Sequence, residues 1–150
     1  MTVDPSILEA LRWPLEALCL LALIGTGALA VGNWSNLPEQ VPCHFGITGE
    51  PDRYGRRHSV FLLPAVALVM FIVMSVAGDT LGLLFGRAPS DLGGVFMATW
   101  TKTFTLLLMC FCQWTIIRVA QGKARRMNVF ILLAFVGFIL VPALTGIFGT

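Results

Sequence analysis

The segment Ala17–Pro38, ALCLLALIGTGALAVGNWSNLP, decides the fold because its 22 residues include no Asp, Glu, Lys or Arg. A helix rises about 1.5 Å per residue, so about 20 apolar residues cross the roughly 30 Å hydrocarbon core of a bilayer. Only helices and closed barrels satisfy their backbone polar groups in lipid, and this segment is continuously apolar rather than alternating. It therefore predicts a membrane-spanning helix.

Three further segments share this character. His58–Gly78 and Met127–Thr150 also lack Asp, Glu, Lys and Arg, and Leu92–Ile117 contains only Lys102. The short links after the second and third segments favour antiparallel neighbours. The sequence therefore predicts an all-α integral membrane protein, a four-helix transmembrane bundle with up-down topology. Its expected helices are about 13–32, 60–82, 95–118 and 128–148.

The composition agrees with this fold class. Of 150 residues, 57% are hydrophobic and only 12% are charged, whereas a soluble domain has about 25% charged residues. These values argue against both a soluble globular enzyme and a disordered chain. The net charge of +2 gives no reason to expect a nucleic-acid partner. We expect one membrane domain over residues 1–150.

The first apolar segment has an alternative interpretation as a signal peptide, because Ala28-Leu29-Ala30 resembles a cleavage site. The residues before it contain Asp4, Glu9 and Glu16 against Arg12, so the positively charged start of a signal peptide is missing. We therefore expect the segment to be retained as the first helix.

The distribution of Lys and Arg predicts the orientation. The first and third links contain seven such residues, and the opposite side contains at most three. The positive-inside rule therefore predicts a multi-pass cell-membrane protein with both of these links in the cytoplasm and both termini outside. The seven residues are Arg53, Arg56, Arg57, Arg118, Lys123, Arg125 and Arg126.

The link between the first two helices, residues 33–58, is the substantial non-apolar segment. Three prolines restrict its backbone, three glycines permit tight reversals, and Trp34 and Tyr54 are typical of the lipid–water boundary. We therefore predict a compact, ordered polar loop that rests on the membrane or caps the bundle.

The order of residues in this loop is also distinctive: Leu37-Pro38, then Val41-Pro42-x-His44-Phe45-Gly46, then Gly49-Glu50-Pro51-Asp52-Arg53-Tyr54-Gly55. This pattern resembles the membrane domain of unknown function found at the N-terminus of SdpI-like proteins, which are immunity factors for the sporulation-delaying toxin. The resemblance covers about residues 33–69. It implies an integral membrane protein with an immunity or signalling role, and it supplies no catalytic residues.

Two departures from the family pattern stand out. The family commonly has Lys shortly after the Tyr-Gly step, where this chain has Arg56-Arg57-His58. SdpI-like immunity proteins also continue into a further multi-span region. The resemblance therefore implies the domain more directly than it implies toxin immunity.

The loop offers three chemical interpretations. His44, Glu50, Asp52 and His58 are of the types that bind Zn²⁺, although their spacing matches no compact metal motif. Alternatively, Asp52 accepts backbone N–H groups in a turn and His44 bonds within the loop, which needs no cofactor. The third interpretation is recognition of anionic lipid, or of a peptide or protein partner, by the cluster of Arg53 and its neighbours.

Polar residues within the apolar segments give a second candidate site. Lys102 and Gln113 fall near the same azimuth of one helix and predict a polar stripe that faces the bundle interior. Asp79 is expected at a similar depth in the preceding helix and would reduce the cost of burying Lys102. The alternatives are snorkelling of Lys102 and interfacial hydration of Asp79.

Glu16 is expected to have a structural role, because Trp13-Pro14 before it is typical of a helix start, where an acid complements the helix dipole. Its alternative role is that of a membrane-embedded carboxylate in a small ion-coupled transporter. No nucleophile–base pair or phosphate loop indicates an enzyme. The sequence thus favours a binding, immunity or signalling role, with an ion-coupled transporter or an intramembrane metalloenzyme as alternatives and a homo-oligomer as a compatible assembly.

Overall fold

A computed structural model describes the backbone of residues 5–84 and 92–148 and the side chains of residues 6–76 and 94–140. Short 3-10 turns lie at Trp34–Asn36 and Arg57–Phe61, on either side of two strands. The helices and strands are α1 (Pro5–Asn33), β1 (Gln40–Phe45), β2 (Pro51–Arg56), α2 (Leu62–Leu84), α3 (Leu92–Ala120) and α4 (Val129–Phe148).

The helices have the length and composition of membrane spans. Three described segments qualify, Ser6–Asn36, Arg57–Val76 and Gly94–Ala120, and the described apolar part of α4 is shorter, at Val129–Leu140. Only 11–28% of the residues in the most apolar part of each span are buried, which suits helices whose remaining surface faces lipid. The prediction of a membrane protein with several spanning helices is confirmed.

Helix α3 lies at the centre of the packing. It contacts α1, α2, α4 and β1, whereas within the described ranges α4 contacts no helix other than α3. Rings of α3 meet α4 where Phe104 stacks on Phe138 at 5.2 Å and Phe111 lies 5.9 Å from Phe135. The predicted four-helix up-down bundle around a shared core is therefore not confirmed, because α4 is attached to one side of α3.

Helix α1 begins at Pro5 rather than near residue 13, so the predicted boundary was wrong. Pro14 lies inside the helix instead of opening it. Proline also suits the first turn of a helix, so Pro5 can take the role that the sequence assigned to Pro14. As a result, Glu16 lies in the body of α1 and not in its first turn.

The link between α1 and α2 is a β-hairpin, which corrects the all-α prediction. Strands β1 and β2 pair antiparallel, with Val41 opposite Gly55 and Pro42 opposite Tyr54. A two-stranded hairpin has only edges, where proline is tolerated because its missing N–H need not face a partner. Pro42 and Pro51 therefore weaken the sequence signal for strands, although they are compatible with strand formation at these positions. The loop is compact and ordered, as predicted.

Two contacts fix the hairpin to the helices. Its base buries Leu37 and Val41 in an apolar cluster with Ala30, Val60 and Ile117. Its tip meets the α3–α4 link, where the Met127 N–H donates to the Gly49 carbonyl at 2.7 Å. The hairpin thus joins the beginning of α4 to the ends of α1 and α3.

Gly49→Ala should destabilise the protein by about 3 kcal/mol or more, as the sum of left-handed backbone strain and steric overlap. Gly49 has a φ of +79°, and an added Cβ would lie 2.2 Å from the Met127 carbonyl oxygen. Gly122→Ala is the matched control, because Gly122 has a φ of +68° with no neighbour within 4 Å of an added Cβ.

The control should lose only the backbone contribution, about 1–2 kcal/mol. Unfolding in SDS titrations of the purified protein measures both changes. Equal losses for Gly49→Ala and Gly122→Ala would show that the hairpin tip does not contact the α3–α4 link as described.

Candidate functional site

A salt bridge joins α1 to α3 within the apolar part of the protein. The Lys102 ammonium lies 2.8 Å from both carboxylate oxygens of Glu16. The side chain of Lys102 is 8% exposed and that of Glu16 is 25% exposed. Both residues were singled out from the sequence, but their contact was not predicted. Pairing offsets part of the large cost of removing each charge from water.

Hydroxyl groups and an aromatic ring surround this pair. Thr99 Oγ1 donates to Glu16 Oε1 at 3.3 Å, and Lys102 Nζ lies 3.5 Å from Ser75 Oγ on α2. The ammonium also lies 5.4 Å from the ring centroid of Phe71, within the range of a cation–π contact. Lys102 therefore receives contacts from α1 and α2 while it belongs to α3.

A recess of about 190 Å³ opens beside the pair. Water has a share of about 30 Å³ in the liquid, so the recess has room for several water molecules or a small polar group. Arg12, one helical turn before Glu16, is an additional charged group in its wall. The lining residues are Arg12, Glu16, Met74, Ser75, Val95, Ala98, Thr99 and Lys102.

Sequence reasoning did not assign Arg12 to this site. The spacing of Arg12 and Glu16 could have indicated it, because residues four apart lie on the same face of a helix. However, the expected helix start near residue 13 placed Arg12 outside α1. Within the described side chains, no ion pair engages Arg12. Among the described lining residues, Arg12 is therefore the cation without an ion pair.

The predicted partner of Lys102, Asp79, lies outside the described side chains, so the Asp79–Lys102 pair stays a prediction. Gln113, which was placed on the same stripe, is fully buried and donates from Nε2 to the Val60 carbonyl at 3.1 Å. Gln113 thus joins the 3-10 turn before α2 to α3 and does not line the recess.

An apolar cluster separates Gln113 from the ion pair. It consists of Cys19, Ala22, Ala67 and Leu106, which are buried together. These residues of α1, α2 and α3 lie between the ion pair and the end of the helices that adjoins the hairpin. Thr26, in the next turn of α1, satisfies its hydroxyl by donating to the Ala22 carbonyl at 2.7 Å. The described helices therefore meet in an apolar contact on this side of the recess.

The hairpin motif forms a second polar group, beyond the C-terminal end of α1. Glu16 and Asn33 are 17 residues apart, which corresponds to about 25 Å along a helix, and the hairpin follows Asn33. His44, Asp52 and Arg53 therefore do not share a cavity with Lys102. The structure separates the two groups of predicted site residues.

His44 and Asp52 pair across the two strands of the hairpin. His44 Nδ1 lies 2.6 Å from Asp52 Oδ1, and both side chains are more than half exposed. The hydrogen bond from His44 lowers the pKa of Asp52 below its ordinary value. Such an exposed pair stabilises the hairpin weakly, because water and salt screen it.

The other motif residues shape the hairpin rather than converge on a ligand. Phe45 and Tyr54 pair with Pro51 and Pro42 respectively across the strands. The Glu50 carbonyl accepts the Gly46 N–H at 2.8 Å and closes the tip. Arg53 is exposed, and its carbonyl lies 3.5 Å from Cys43 Sγ. These contacts lie within the hairpin, and the role of the loop as a structural cap stays a prediction.

Metal ligation receives no support from the described residues. No group of three or more His, Cys, Asp or Glu side chains converges within residues 6–76 and 94–140. The residues proposed as zinc ligands have different partners. His44 pairs with Asp52, whereas the ring of His58 lies 5.1 Å from the ring of Trp34.

Arg57 differs from the other arginines of the cluster. Its guanidinium lies 4.3 Å above the Trp34 ring and donates from Nη2 to the Trp34 carbonyl. Arg57 therefore fixes the 3-10 turn at the end of α1 to the turn before α2. The expected recognition cluster is reduced to Arg53 and Arg56, which are both exposed.

These features define a membrane protein built from apolar helices, with a polar recess between α1, α2 and α3 and a β-hairpin between α1 and α2. Residues 20–68 match the family described as a domain of unknown function, DUF1648. The match spans most of α1, the hairpin and the beginning of α2, and it contains the motif residues 37–55.

A relative from Archaeoglobus fulgidus, described as an uncharacterized protein, is 35% identical over 89 residues. The match covers 59% of this chain and 49% of the relative, so this chain spans about half the length of that protein. No solved structure matches the chain significantly.

The Asp52 carboxyl should titrate below its ordinary pKa of 3.8, and His44→Gln should raise its midpoint towards that value. A carboxyl whose pKa is lowered by folding adds stability above its ordinary pKa, and this contribution is lost as the pH falls through the lowered pKa. NMR titration of the carboxyl carbon, with the protein in detergent micelles, measures the midpoint. An unchanged midpoint in His44→Gln would contradict the cross-strand pair.

Proposed function

We propose that this protein is a small membrane-embedded binding protein, whose recess between α1, α2 and α3 takes an anionic group such as a carboxylate. The observation that carries the proposal is the Glu16–Lys102 pair in the wall of the recess. Ionisable groups inside membrane spans are costly to maintain and usually mark a functional site.

The charges of the recess favour an anion. Arg12 and Lys102 face one carboxylate, Glu16, so the described lining has a surplus of one positive charge. The Ser75 hydroxyl, which accepts from Lys102, supplies a further hydrogen-bond donor in the same wall. An incoming carboxylate would meet the guanidinium of Arg12 without first breaking the Glu16–Lys102 pair.

The resemblance of the loop to SdpI-like proteins is consistent with a binding role, since immunity and signalling both require recognition of a ligand or partner. The hairpin would then serve as a rigid cap on the cytoplasmic side, with both termini outside. This orientation is supported by the seven Lys and Arg residues of the hairpin end.

Ion-coupled transport is the second candidate, because Glu16 is a titratable group within a span. Transport needs a continuous path for the ion, and the buried cluster of Cys19, Ala22, Ala67 and Leu106 separates the recess from the hairpin end. This apolar contact favours binding over transport. Proton uptake into proteoliposomes that disappears in Glu16→Gln would reverse the preference.

Octanoate is a suitable probe of the recess, because it carries one carboxylate on a chain that partitions into the membrane. We expect octanoate to raise the thermal unfolding midpoint of the protein in lipid nanodiscs, whereas octylamine of the same chain length should not. Arg12→Gln should weaken the effect of octanoate about tenfold in concentration, as expected for the loss of one charged hydrogen bond.

Arg12→Lys is the matched control, because it keeps the positive charge and should retain most of the response. Equal responses to octanoate and octylamine, or an unchanged response in Arg12→Gln, would refute the proposed binding of anions in the recess.

A further inference from the structure

The hairpin and the α3–α4 link lie at one end of the membrane spans. Helix α1 ends at Asn33 and α3 ends at Ala120, and Gln121 Nε2 donates to Asn33 Oδ1 at 3.0 Å. The hairpin follows α1, and the link of residues 121–128 follows α3. Both segments therefore begin where the apolar helices end, at the level expected for lipid headgroups.

This end carries most of the positive charge of the protein. Residues 33–58 and 118–126 contain seven Lys and Arg against three Asp and Glu, a surplus of four positive charges. Since the whole chain has a net charge of +2, the remaining residues have a net charge of −2. Positive charge is thus concentrated in these two segments, and the rest of the chain is net negative.

Five of these cations are exposed and take part in no ion pair within the described side chains. The carboxylates of the same end do not neutralise them: Asp52 is engaged by His44, and Glu39 and Glu50 form no ion pair in the described part of the chain. The five residues are Arg53, Arg56, Lys123, Arg125 and Arg126.

The cations sit on a fixed scaffold rather than on a tail. Gly122, with a φ of +68°, ends α3 in a Schellman motif: Gly122 N–H donates to the Val119 carbonyl at 3.0 Å and Lys123 N–H to the Arg118 carbonyl at 2.8 Å. At the other end of the link, Met127 is bound to Gly49 of the hairpin. The hairpin and the link therefore form one continuous surface.

Aromatic and apolar groups accompany these charges. Trp114 on α3 is 43% exposed, and the Arg118 guanidinium lies 4.7 Å from its ring centroid. Ile47 at the hairpin tip is 97% exposed and Tyr54 is 54% exposed. Tryptophan and tyrosine are enriched where hydrocarbon meets headgroups, so the surface combines membrane-seeking side chains with free cations.

We propose that this surface, formed by the hairpin and the α3–α4 link, binds the headgroups of anionic phospholipids in the leaflet that surrounds it. The phosphate and any further acidic group of the lipid would accept hydrogen bonds from the exposed arginines. Free phosphate is a weaker candidate, because it would make no use of Ile47, Tyr54 and Trp114. The inference is independent of the recess, because Glu16 lies about 25 Å before the end of α1 at which the hairpin begins.

The full chain in a mild non-ionic detergent can be titrated with short-chain phosphatidylglycerol, with phosphatidylcholine of the same chain length and with inorganic phosphate. The thermal unfolding midpoint reports binding. We expect phosphatidylglycerol to stabilise the protein at concentrations at which the other two do not. The preference should decrease as salt is raised from 50 to 500 mM, values chosen to shorten the Debye length from about 14 to about 4 Å.

The double variant Arg125→Gln, Arg126→Gln should weaken phosphatidylglycerol binding about 25-fold, at about fivefold for each cation near an anionic membrane surface. Glu50→Gln is the control, because it alters the same surface in the opposite electrostatic sense and should strengthen binding. If the double variant does not fold, Arg53→Gln tests the same surface, and the salt dependence of the unaltered protein needs no variant.

Three results would overturn the inference. The first is equal stabilisation by phosphatidylglycerol and phosphatidylcholine. The second is stabilisation by inorganic phosphate at the same concentrations, which would indicate a site for the free anion. The third is weaker binding in Glu50→Gln, which would show that the variants act by disturbing the hairpin and not through charge.

Discussion

The salt bridge between Glu16 and Lys102 is the interaction on which the arrangement of the helices depends. Two charged groups in an apolar environment are tolerated when each has its partner in contact, and removing one partner leaves the other unpaired. Since Glu16 is on α1 and Lys102 is on α3, the pair sets which faces of these helices meet. The Thr103 hydroxyl lies at the same contact, 3.1 Å from the Leu15 carbonyl of α1 and 2.7 Å from the Thr99 carbonyl of its own helix.

The second constraint acts at the other end of the helices, where the hairpin connects three of them. Its base lies in the cluster of Leu37, Val41 and Ile117, and its tip binds the link before α4 through Gly49. Helix α4 packs only on α3 within the described ranges, so the hairpin tip is its second attachment. The helices are thus connected by a salt bridge within the bodies of α1 and α3 and by the hairpin beyond the end of α1.

The spans could be predicted from the sequence because length and hydropathy are local properties of a segment. The first boundary was missed because proline is favoured at a helix start but also occurs within a helix, as Pro14 does here. The hairpin was missed because strands of six residues interrupted by Pro42 and Pro51 carry a weak signal. Its stability depends on contacts with α3 and with Met127, which are distant in sequence.

The sequence predicted which residues belong to the candidate site, but it did not predict which of them are in contact. Glu16 and Lys102 were both identified as ionisable groups near or within spans, yet which helices face each other is set by packing over the whole chain. Asp79 was expected to pair with Lys102 because the two residues lie at similar depth in consecutive helices. The structure instead places Glu16, from the first helix, beside Lys102. The contact of His44 with Asp52 was also not predicted, because it depends on a hairpin that the sequence did not reveal, in which His44 lies opposite Arg53 in an irregular register.

Exchange of the two charges tests the central claim most directly. Glu16→Lys places two ammonium groups together and Lys102→Glu places two carboxylates together, whereas the double exchange restores one charge of each sign. We predict that each single variant loses about 3 kcal/mol or more in SDS unfolding of the purified protein, and that the double exchange recovers most of this loss. A double exchange that is as unstable as the sum of the single variants would contradict the contact between α1 and α3.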